Sequence, residues 1–317
     1  MFTTNSGNSR KDTAMKAMIL AAGEGTRLKP LTDICPKALV PVANKPVIER
    51  LIAFLISHGV EEVIVNAHHH YQKLLDYLKG EDKFGVPVEV RVEKKILGTG
   101  GGIKNTQHFW DQDPFIVING DILTDINLEK AYEYHLKRGN LITLVLHDFP
   151  VHNKIIADDD MNILAIGSGT NVRGALAFTG IQVMDPAVLE LMPEKQSYSI
   201  IKYYKKMIDE ARPIRGYRVT GHSWIDIGTI PDYLQANRHF VLGRKAVVGS
   251  ECHIDPDAAL AEWAVIGKGC TVGRDALVER SVLWSDVIVR EGVRVVDSVV
   301  ASGIMVETDF IGGVAVR

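Results

Sequence analysis

The chain has 317 residues, 46% of them hydrophobic and 24% charged, and a formal net charge of -3; this is the balance of a soluble globular protein of about two domains, and it excludes a surface built for a nucleic-acid polyanion. Its three cysteines, Cys35, Cys252 and Cys270, are too few and too scattered for a disulfide framework or a zinc knuckle and fit a reducing, cytoplasmic setting. No apolar run reaches the length of a membrane span, so neither a membrane nor a nucleic acid is expected as a partner.

Residues 1–14 are polar, rich in Ser, Thr and Asn and without periodicity, and read as a flexible tail. A short apolar strand over 17–20 then leads into Leu20-Ala21-Ala22-Gly23-Glu24-Gly25-Thr26-Arg27-Leu28-Lys29-Pro30-Leu31-Thr32, followed by Pro36-Lys37-Ala38-Leu39-Val40-Pro41-Val42. The apolar stretch is short and meets Glu24, Arg27 and Lys29 without a cleavage-like region, so no leader peptide is expected. Glycines at the exit of a strand let the backbone turn past a ligand and offer free N–H groups to phosphate oxygens, while Arg27 and Lys37 add fixed positive charge. The run reads as a phosphate-binding loop with a triphosphate as its ligand. It is neither commoner nucleotide motif: the G-x-G-x-x-G fingerprint needs a small residue where Leu28 stands, and G-x-x-x-x-G-K-[ST] does not occur.

Downstream, strand patterns over 62–66, 88–92, 115–119 and 141–146 alternate with helical patterns over 47–57, 72–78, 102–109 and 128–138, as in a parallel sheet wrapped by helices. Ligands of such sheets bind beyond the carboxyl ends of the strands. Gly23, the Asn119-Gly120-Asp121 turn and the segment after Val92 all fall there. His68-His69-His70 cannot converge on one ion in an extended chain, because successive side chains alternate, and reads as a loop near the nucleotide. A more irregular part follows, with a hairpin around 158–160, a strand over 175–183 and helices over 199–210 and 231–240. Asp158-Asp159-Asp160 reads as a solvated turn rather than a metal site.

Beyond Arg244 the period becomes six: Val248, Ile254, Leu260, Ile266, Val272 and Val278 are evenly spaced, and Val289, Val295 and Ala301 resume the spacing after an offset of one. Such steps suit a triangular parallel β-helix whose aliphatic residues point inward. The stretch resembles the left-handed β-helix of hexapeptide-repeat proteins, with about four coils, and is expected to serve as a cap or an oligomerisation element. Trp263 and Trp284 are expected to pack there or at a subunit contact. The domains are thus drawn at 1–14 (tail), 15–243 and 244–317.

The loop Leu20 to Thr32 with its Pro36-Lys37 resembles the signature of the sugar-1-phosphate nucleotidyltransferases, and the resemblance extends over nearly the whole chain. It implies an α/β fold with a Rossmann-like, mixed but mostly parallel sheet carrying the short C-terminal left-handed β-helix. It also implies the reaction: a sugar 1-phosphate oxygen attacks the α-phosphorus of a nucleoside triphosphate in line and pyrophosphate leaves, so catalysis rests on alignment and charge. By resemblance Arg27 holds the β- and γ-phosphates and Lys37 lies against the α-phosphate. Asp121 in Val117-Ile118-Asn119-Gly120-Asp121 and Asp226 in Ser223-Trp224-Ile225-Asp226-Ile227-Gly228-Thr229 bind Mg²⁺, a hard ion that needs only one or two carboxylates beside phosphate oxygens and water. Nucleotide contacts are carried over to Leu20, Ala21, Ala22, Gly23, Glu24, Gly25 and Thr26, and to Leu97, Gly98 and Thr99 of Glu93-Lys94-Lys95-Ile96-Leu97-Gly98-Thr99-Gly100-Gly101-Gly102, whose small residues let the backbone approach a flat base.

Asn119, Gly120 and Thr179 and Gly180 of Phe178-Thr179-Gly180-Ile181 are placed on the sugar side. The Glu-Lys-Pro motif that meets the sugar phosphate in many members is absent; Asn171-Val172-Arg173-Gly174 stands instead, leaving Arg173, Lys154 and Lys202 as candidates. The plan of the chain favours GTP and mannose 1-phosphate and a homo-oligomer. UTP with an amino-sugar or glucose 1-phosphate, N-acetylmuramate 1-phosphate included, is the alternative. A catalytically silent NDP-sugar-binding subunit and a hexapeptide acyltransferase are the readings from other classes.

Overall fold

The computed structural model describes residues 15–79, 83–167, 174–194, 196–241 and 243–317; the expected tail over 1–14 lies outside them. In chain order the elements are β1 (Met15–Leu20), α1 (Leu31–Ile34), β2 (Pro41–Val42), β3 (Lys45–Pro46), α2 (Val47–Ser57), β4 (Val60–Ala67), α3 (Tyr71–Leu78), β5 (Val88–Val92), α4 (Gly98–Lys104), β6 (Phe115–Asn119), β7 (Ile122–Thr124), α5 (Leu128–Arg138) and β8 (Ile142–His147). They continue with β9 (Ile155–Ala157), β10 (Ile163–Ile166), β11 (Ala177–Met184), α6 (Ala187–Leu191), α7 (Ile200–Asp209), β12 (Arg215–Arg218), β13 (Trp224–Asp226) and α8 (Ile230–Val241).

A seven-stranded sheet in the order β12-β8-β11-β6-β1-β4-β5 is the centre of this part. It is mixed: β11 runs antiparallel to β6 and β8, and every other pairing is parallel. Strands covered on both faces read as continuous apolar runs rather than alternating ones, which is how β1 and β8 read. Ala17 and Ile19 join the core on the side of α2, α5 and α8, and Met18 joins the core on the side of α6 and α7. Because Leu20 pairs with Asn66 on one side and Asn119 on the other, three strands end level and release their loops onto one edge.

The helix expected over 102–109 begins earlier and stops sooner, as α4 at Gly98–Lys104 followed by a separate 3-10 turn at Gln107–Phe109. Glycine has a poor helix propensity, so a run of it argues for a loop; here close packing overrides propensity. A Cβ on Gly98 would lie 2.6 Å from the Tyr198 carbonyl oxygen, one on Gly100 2.2 Å from the Tyr198 ring, and one on Gly101 2.3 Å from the Gln196 carbonyl oxygen. The acidic triplet sits in the β9–β10 hairpin, where the Asp158 carboxylate accepts from Asn162 N at 2.7 Å and from Asn162 Nδ2 at 2.8 Å.

From Ala246 onward the chain forms short parallel strands. Ala246 pairs with Ala264 and Ala264 with Ser281; His253 pairs with Thr271, Thr271 with Ile288, and Ile288 with Met305. Ile266, Val272, Val278, Val289 and Val295 of the six-residue pattern are buried in one apolar core. Two members depart from it. Val248 is 46% exposed, because Ala246–Val248 is an edge strand with a neighbour on one side only. Ala301 is buried instead in the core shared with α8. Trp263 and Trp284 join that shared core, and Trp284 Nε1 donates to the Tyr233 hydroxyl of α8 at 3.0 Å. Both tryptophans therefore pack within the chain, between the repeat strands and the α/β part.

Candidate active site

The loop after β1 is closed by its own residues. Gly25 takes φ 64°, in the left-handed region, and a Cβ there would lie 2.8 Å from Thr32 Cγ2; the Thr32 hydroxyl donates to the Gly25 carbonyl at 2.9 Å. Leu28, where the dinucleotide fingerprint would need a small residue, is fully buried and anchors the loop, whereas Gly23, Glu24, Thr26 and Arg27 are exposed at the sheet edge. The histidine triplet holds the next segment. Nitrogens of His69 and His70 donate to the carbonyls of Thr32 at 3.0 Å and Asp33 at 2.9 Å, and Lys73 Nζ donates to that of Ile34 at 2.6 Å. The carbonyls that end α1 are thus satisfied from outside, as helix termini require. His68 is turned elsewhere, onto the Glu93 carbonyl at 2.7 Å.

The 3-10 turn Lys37–Leu39 carries Lys37 onto the sheet edge, where Nζ lies 2.7 Å from Asp121 Oδ2. Asp121 arrives through Gly120, whose N–H donates to the Leu20 carbonyl at 2.9 Å and whose Cβ, if present, would lie 2.6 Å from that oxygen. β13 pairs antiparallel with β7 and sets Asp226 against Ile122, and Ile227 N donates to the Asp121 carbonyl at 2.9 Å. Two aspartates more than a hundred residues apart in sequence thus share one spot. Asp226 Oδ1 is buried and has no hydrogen-bond partner among the described residues, and burial, followed by the charge of Asp121, pushes this carboxyl above the usual carboxylate range. A Cβ on Gly228 would fall 3.0 Å from Arg27 Nη1 and 3.1 Å from Asp226 Oδ2, so the guanidinium of Arg27 lies at the same place.

These groups open on a cavity of about 360 Å³ lined by Arg27, Asp121 and Asp226 and, across it, by Asn119, Gly180, His152, Lys154 and Trp224. Gly180 has φ 80°, and a Cβ there would lie 2.8 Å from Asn119 Nδ2. Thr179 is fully buried, its hydroxyl donating to the Val145 carbonyl at 2.9 Å and its carbonyl accepting from Trp224 Nε1 at 2.9 Å, so its side chain braces β8 behind the cavity wall. The half-buried Thr99 accepts from Ile200 N at 2.8 Å with its hydroxyl and so seats the start of α7. The glycines of α4 are explained by the backbone of Tyr198 and Gln196 and the side chains of Tyr198, Asn66 and Glu93 that they touch. Leu97 and Gly98 are half-buried beside them, with Gly98 at φ 67°. Of the candidates for the sugar phosphate, Lys154 lines the cavity and makes no ion pair among the described residues, Lys202 is exposed on α7, and Arg173 lies outside the described residues.

A feature with no signature in the sequence backs the cavity. The rings of His152, Phe149, His147 and His222 follow one another nearly parallel, with interplanar angles of 16°, 8° and 29°, and Trp224 meets them at an angle. His147 Nδ1 and His222 Nε2 are 3.1 Å apart, and burial, then the neighbouring His222, pushes the His147 imidazole down to about 4. Trp224 was visible only as a neighbour of Asp226; the stack itself draws on positions no local pattern connects.

The residues present fit a hard divalent cation. Two carboxylates side by side, one with a buried unpaired oxygen, form an oxygen-donor set with an uncompensated acceptor, and phosphate oxygens would complete it.

The family model for nucleotidyl transferases matches residues 16–155. Mannose-1-phosphate guanylyltransferase 1 of Arabidopsis thaliana is 30% identical over 89% of this chain and 82% of that protein. The chain belongs to the sugar-1-phosphate nucleotidyltransferases. A UTP–glucose-1-phosphate uridylyltransferase of Synechocystis sp. is 29% identical over 90% of this chain and 87% of its own length. Among solved structures, HddC from Yersinia pseudotuberculosis has a TM-score of 0.62 at 26% identity, covering 71% of this chain and 99% of that one. A second crystal structure of HddC, complexed with GMP-PN, has a TM-score of 0.61 at 25% identity. This family member is a nucleotidyltransferase, and its reaction is nucleotidyl transfer onto a sugar 1-phosphate.

Proposed function

We propose that this chain transfers a guanylyl group from GTP to mannose 1-phosphate, giving GDP-mannose and pyrophosphate, with Asp121 and Asp226 as the ligands of Mg²⁺. The observation that carries the site is the convergence of Arg27, Lys37 and the two aspartates at one sheet edge, with the Asp226 oxygen left buried and unpaired. Bound by these two carboxylates, the ion would offset the negative charge of the phosphates. Arg27 holds the outer phosphates that depart as pyrophosphate, and the exposed backbone N–H groups of the loop around Gly23 to Thr26 receive the triphosphate. Lys37, whose Nζ lies 2.7 Å from Asp121 Oδ2, reaches the α-phosphate with its ammonium. Lys154, across the cavity, takes the phosphate of the incoming sugar and aligns its oxygen for attack on the α-phosphorus; the bond to pyrophosphate breaks as the new P–O bond forms. Gly120, Gly180 and Asn119 line the sugar end.

GTP and mannose 1-phosphate are favoured by the guanylyltransferase relatives and by the complex of HddC with GMP-PN. The uridylyltransferase relative supports a second reading, UTP with glucose 1-phosphate or an amino-sugar 1-phosphate. Pyrophosphate release measured with Mg²⁺ over GTP, UTP, dTTP, CTP and ATP against mannose, glucose, N-acetylglucosamine and N-acetylmuramate 1-phosphates decides between them. The GTP and mannose cell is the expected maximum; a maximum in the UTP row overturns the guanylyl assignment.

The proposal extends to the C-terminal strands. Their six-residue steps and parallel in-register pairing support a left-handed β-helix of about four coils through which copies of the chain associate in the cytoplasm. Light scattering on the intact chain reads the association, and a monomer at micromolar concentration would count against it.

A further inference from the structure

Asn66 and Glu93 are the buried polar pair that the chemistry above leaves unused, at 2% and 3% exposure. Asn66 ends β4 and Glu93 follows β5. Asn66 Oδ1 accepts from Ala21 N at 2.7 Å, Asn66 Nδ2 donates to Glu93 Oε1 at 2.7 Å, and Glu93 Oε2 accepts from Leu97 N at 3.0 Å. The result is a continuous relay from the backbone of the loop after β1 to the backbone that enters α4. Glu93 itself is held by its N–H on the Ala67 carbonyl at 2.7 Å and by His68 on its own carbonyl at 2.7 Å. The relay passes over Gly102, where a Cβ would lie 2.7 Å from Asn66 Nδ2 and 3.0 Å from Glu93 Oε1, so no larger residue fits beneath it.

We propose that Asn66 and Glu93 are positioning residues that fix the separation of Ala21 and Leu97, and through it the width of the slot that admits the nucleobase and the choice among bases. This rests on the proposed nucleotidyl transfer from a triphosphate, with the base entering between residues 21–23 and 97–99. Each of these donations has its own acceptor oxygen, and the polarity converges from the two backbone ends, Ala21 N and Leu97 N, on the Glu93 carboxylate. A buried donor left facing a donor, or an acceptor facing an acceptor, carries its full desolvation penalty.

That polarity gives a test by exchange. In Glu93→Gln an amide N–H₂ must face either Asn66 Nδ2 or Leu97 N. In Asn66→Asp a carboxylate faces the Glu93 carboxylate. In the double variant Asn66→Asp/Glu93→Gln, the aspartate accepts from Ala21 N and from the glutamine amide, and the glutamine oxygen accepts from Leu97 N, so the relay is restored at the same net charge. Steady-state kinetics on the full chain, with nucleoside triphosphate and sugar 1-phosphate varied separately, reads the effect. Each single variant is expected to raise KM for the preferred triphosphate about tenfold and to narrow its preference over the others, with KM for the sugar 1-phosphate within about twofold; the double variant recovers both to within about threefold. Thermal unfolding of all three monitors folding. The proposal is overturned if folded single variants keep wild-type KM and preference, or if both KM values rise together and the double variant rescues neither. Failure of the underlying reading looks different: the wild-type chain would then show no triphosphate dependence at all.

Discussion

The two sides of the cavity are built by different means. On the side of Arg27 and Lys37 the backbone is fixed by directional hydrogen bonds: Thr32 to Gly25, His69, His70 and Lys73 to the end of α1, and Gly120 to Leu20. On the side of His152 and Lys154 the wall is a stack of rings, with an imidazole pair, His147 buried and His222 half-buried, whose outer nitrogens, His147 Nε2 and His222 Nδ1, lack partners among the described residues. On the proposed function the first side meets a triphosphate, one chemical pattern that a fixed loop can match, and the second an acceptor sugar, which is matched by shape. This is why the first side is a contiguous motif and the second is assembled from distant positions.

The contrast is sharpened most by removing the charge that the bonded side exists to present. Lys37→Ala is expected to lower kcat roughly a hundredfold to a thousandfold while leaving the loop folded, because the proposed function sets this lysine against charge that develops in the transition state; rapid-quench turnover of the folded variant checks it, and a rate within threefold of wild type contradicts it. Packing comes next. Gly100→Ala places a methyl against the Tyr198 ring and should destabilise the chain by about 1–3 kcal/mol, read from urea midpoints.

Acid then separates the two sides by stability. Burial pushes His135, in α5, and His147, in the stack, down to about 4 from the ordinary 6.5; Asp185 opposes the shift at His135, and at His147 His222 and His152 reinforce it while Asp148 opposes it. The unfolded chain therefore takes up these protons first as pH falls. Stability is full above about pH 6.5 and is lost progressively toward pH 4, on the order of 2–3 kcal/mol per histidine. Urea titrations at pH 7 and pH 5 should show the fall, and His147→Phe, which keeps a ring in the stack, should flatten it in part; a pH-independent midpoint contradicts the account. The smallest effect expected is at the junction with the repeat strands, where Trp284→Phe removes the hydrogen bond to Tyr233 and should cost about 1 kcal/mol, seen as a lowered melting temperature with unchanged KM values.

What the sequence made legible follows the same division. The helices at Val47–Ser57 and Leu128–Arg138 and the strands at Val88–Val92 and Phe115–Asn119 match their patterns end to end, because periodicity and turn chemistry agree there. Asn127 caps Leu128–Arg138 by accepting from Lys130 N at 2.9 Å, and Gly139 ends it at φ 59°. Arg27, Lys37, Asp121 and Asp226 could be singled out because each sits in a motif whose parts are neighbours in the chain. The start of α4 at Gly98 was illegible, since its glycines answer to Tyr198 and Gln196, about a hundred residues away. The burial of Thr179 and the exposure of Val248 depend on which strand lies alongside, which a single strand's sequence does not record.

The most direct test of the account is pyrophosphate release by wild type and Asp226→Asn, each with its melting temperature. Wild type should need Mg²⁺, a triphosphate and a sugar 1-phosphate together and fall silent with EDTA. Asp226→Asn removes a buried carboxylate that sits beside Asp121 with one oxygen unpaired, so it should lose at least about a hundredfold in rate while melting at the wild-type temperature or above. Wild-type turnover in Asp226→Asn, or a loss of activity that merely follows a loss of stability, would contradict a site built around the two aspartates.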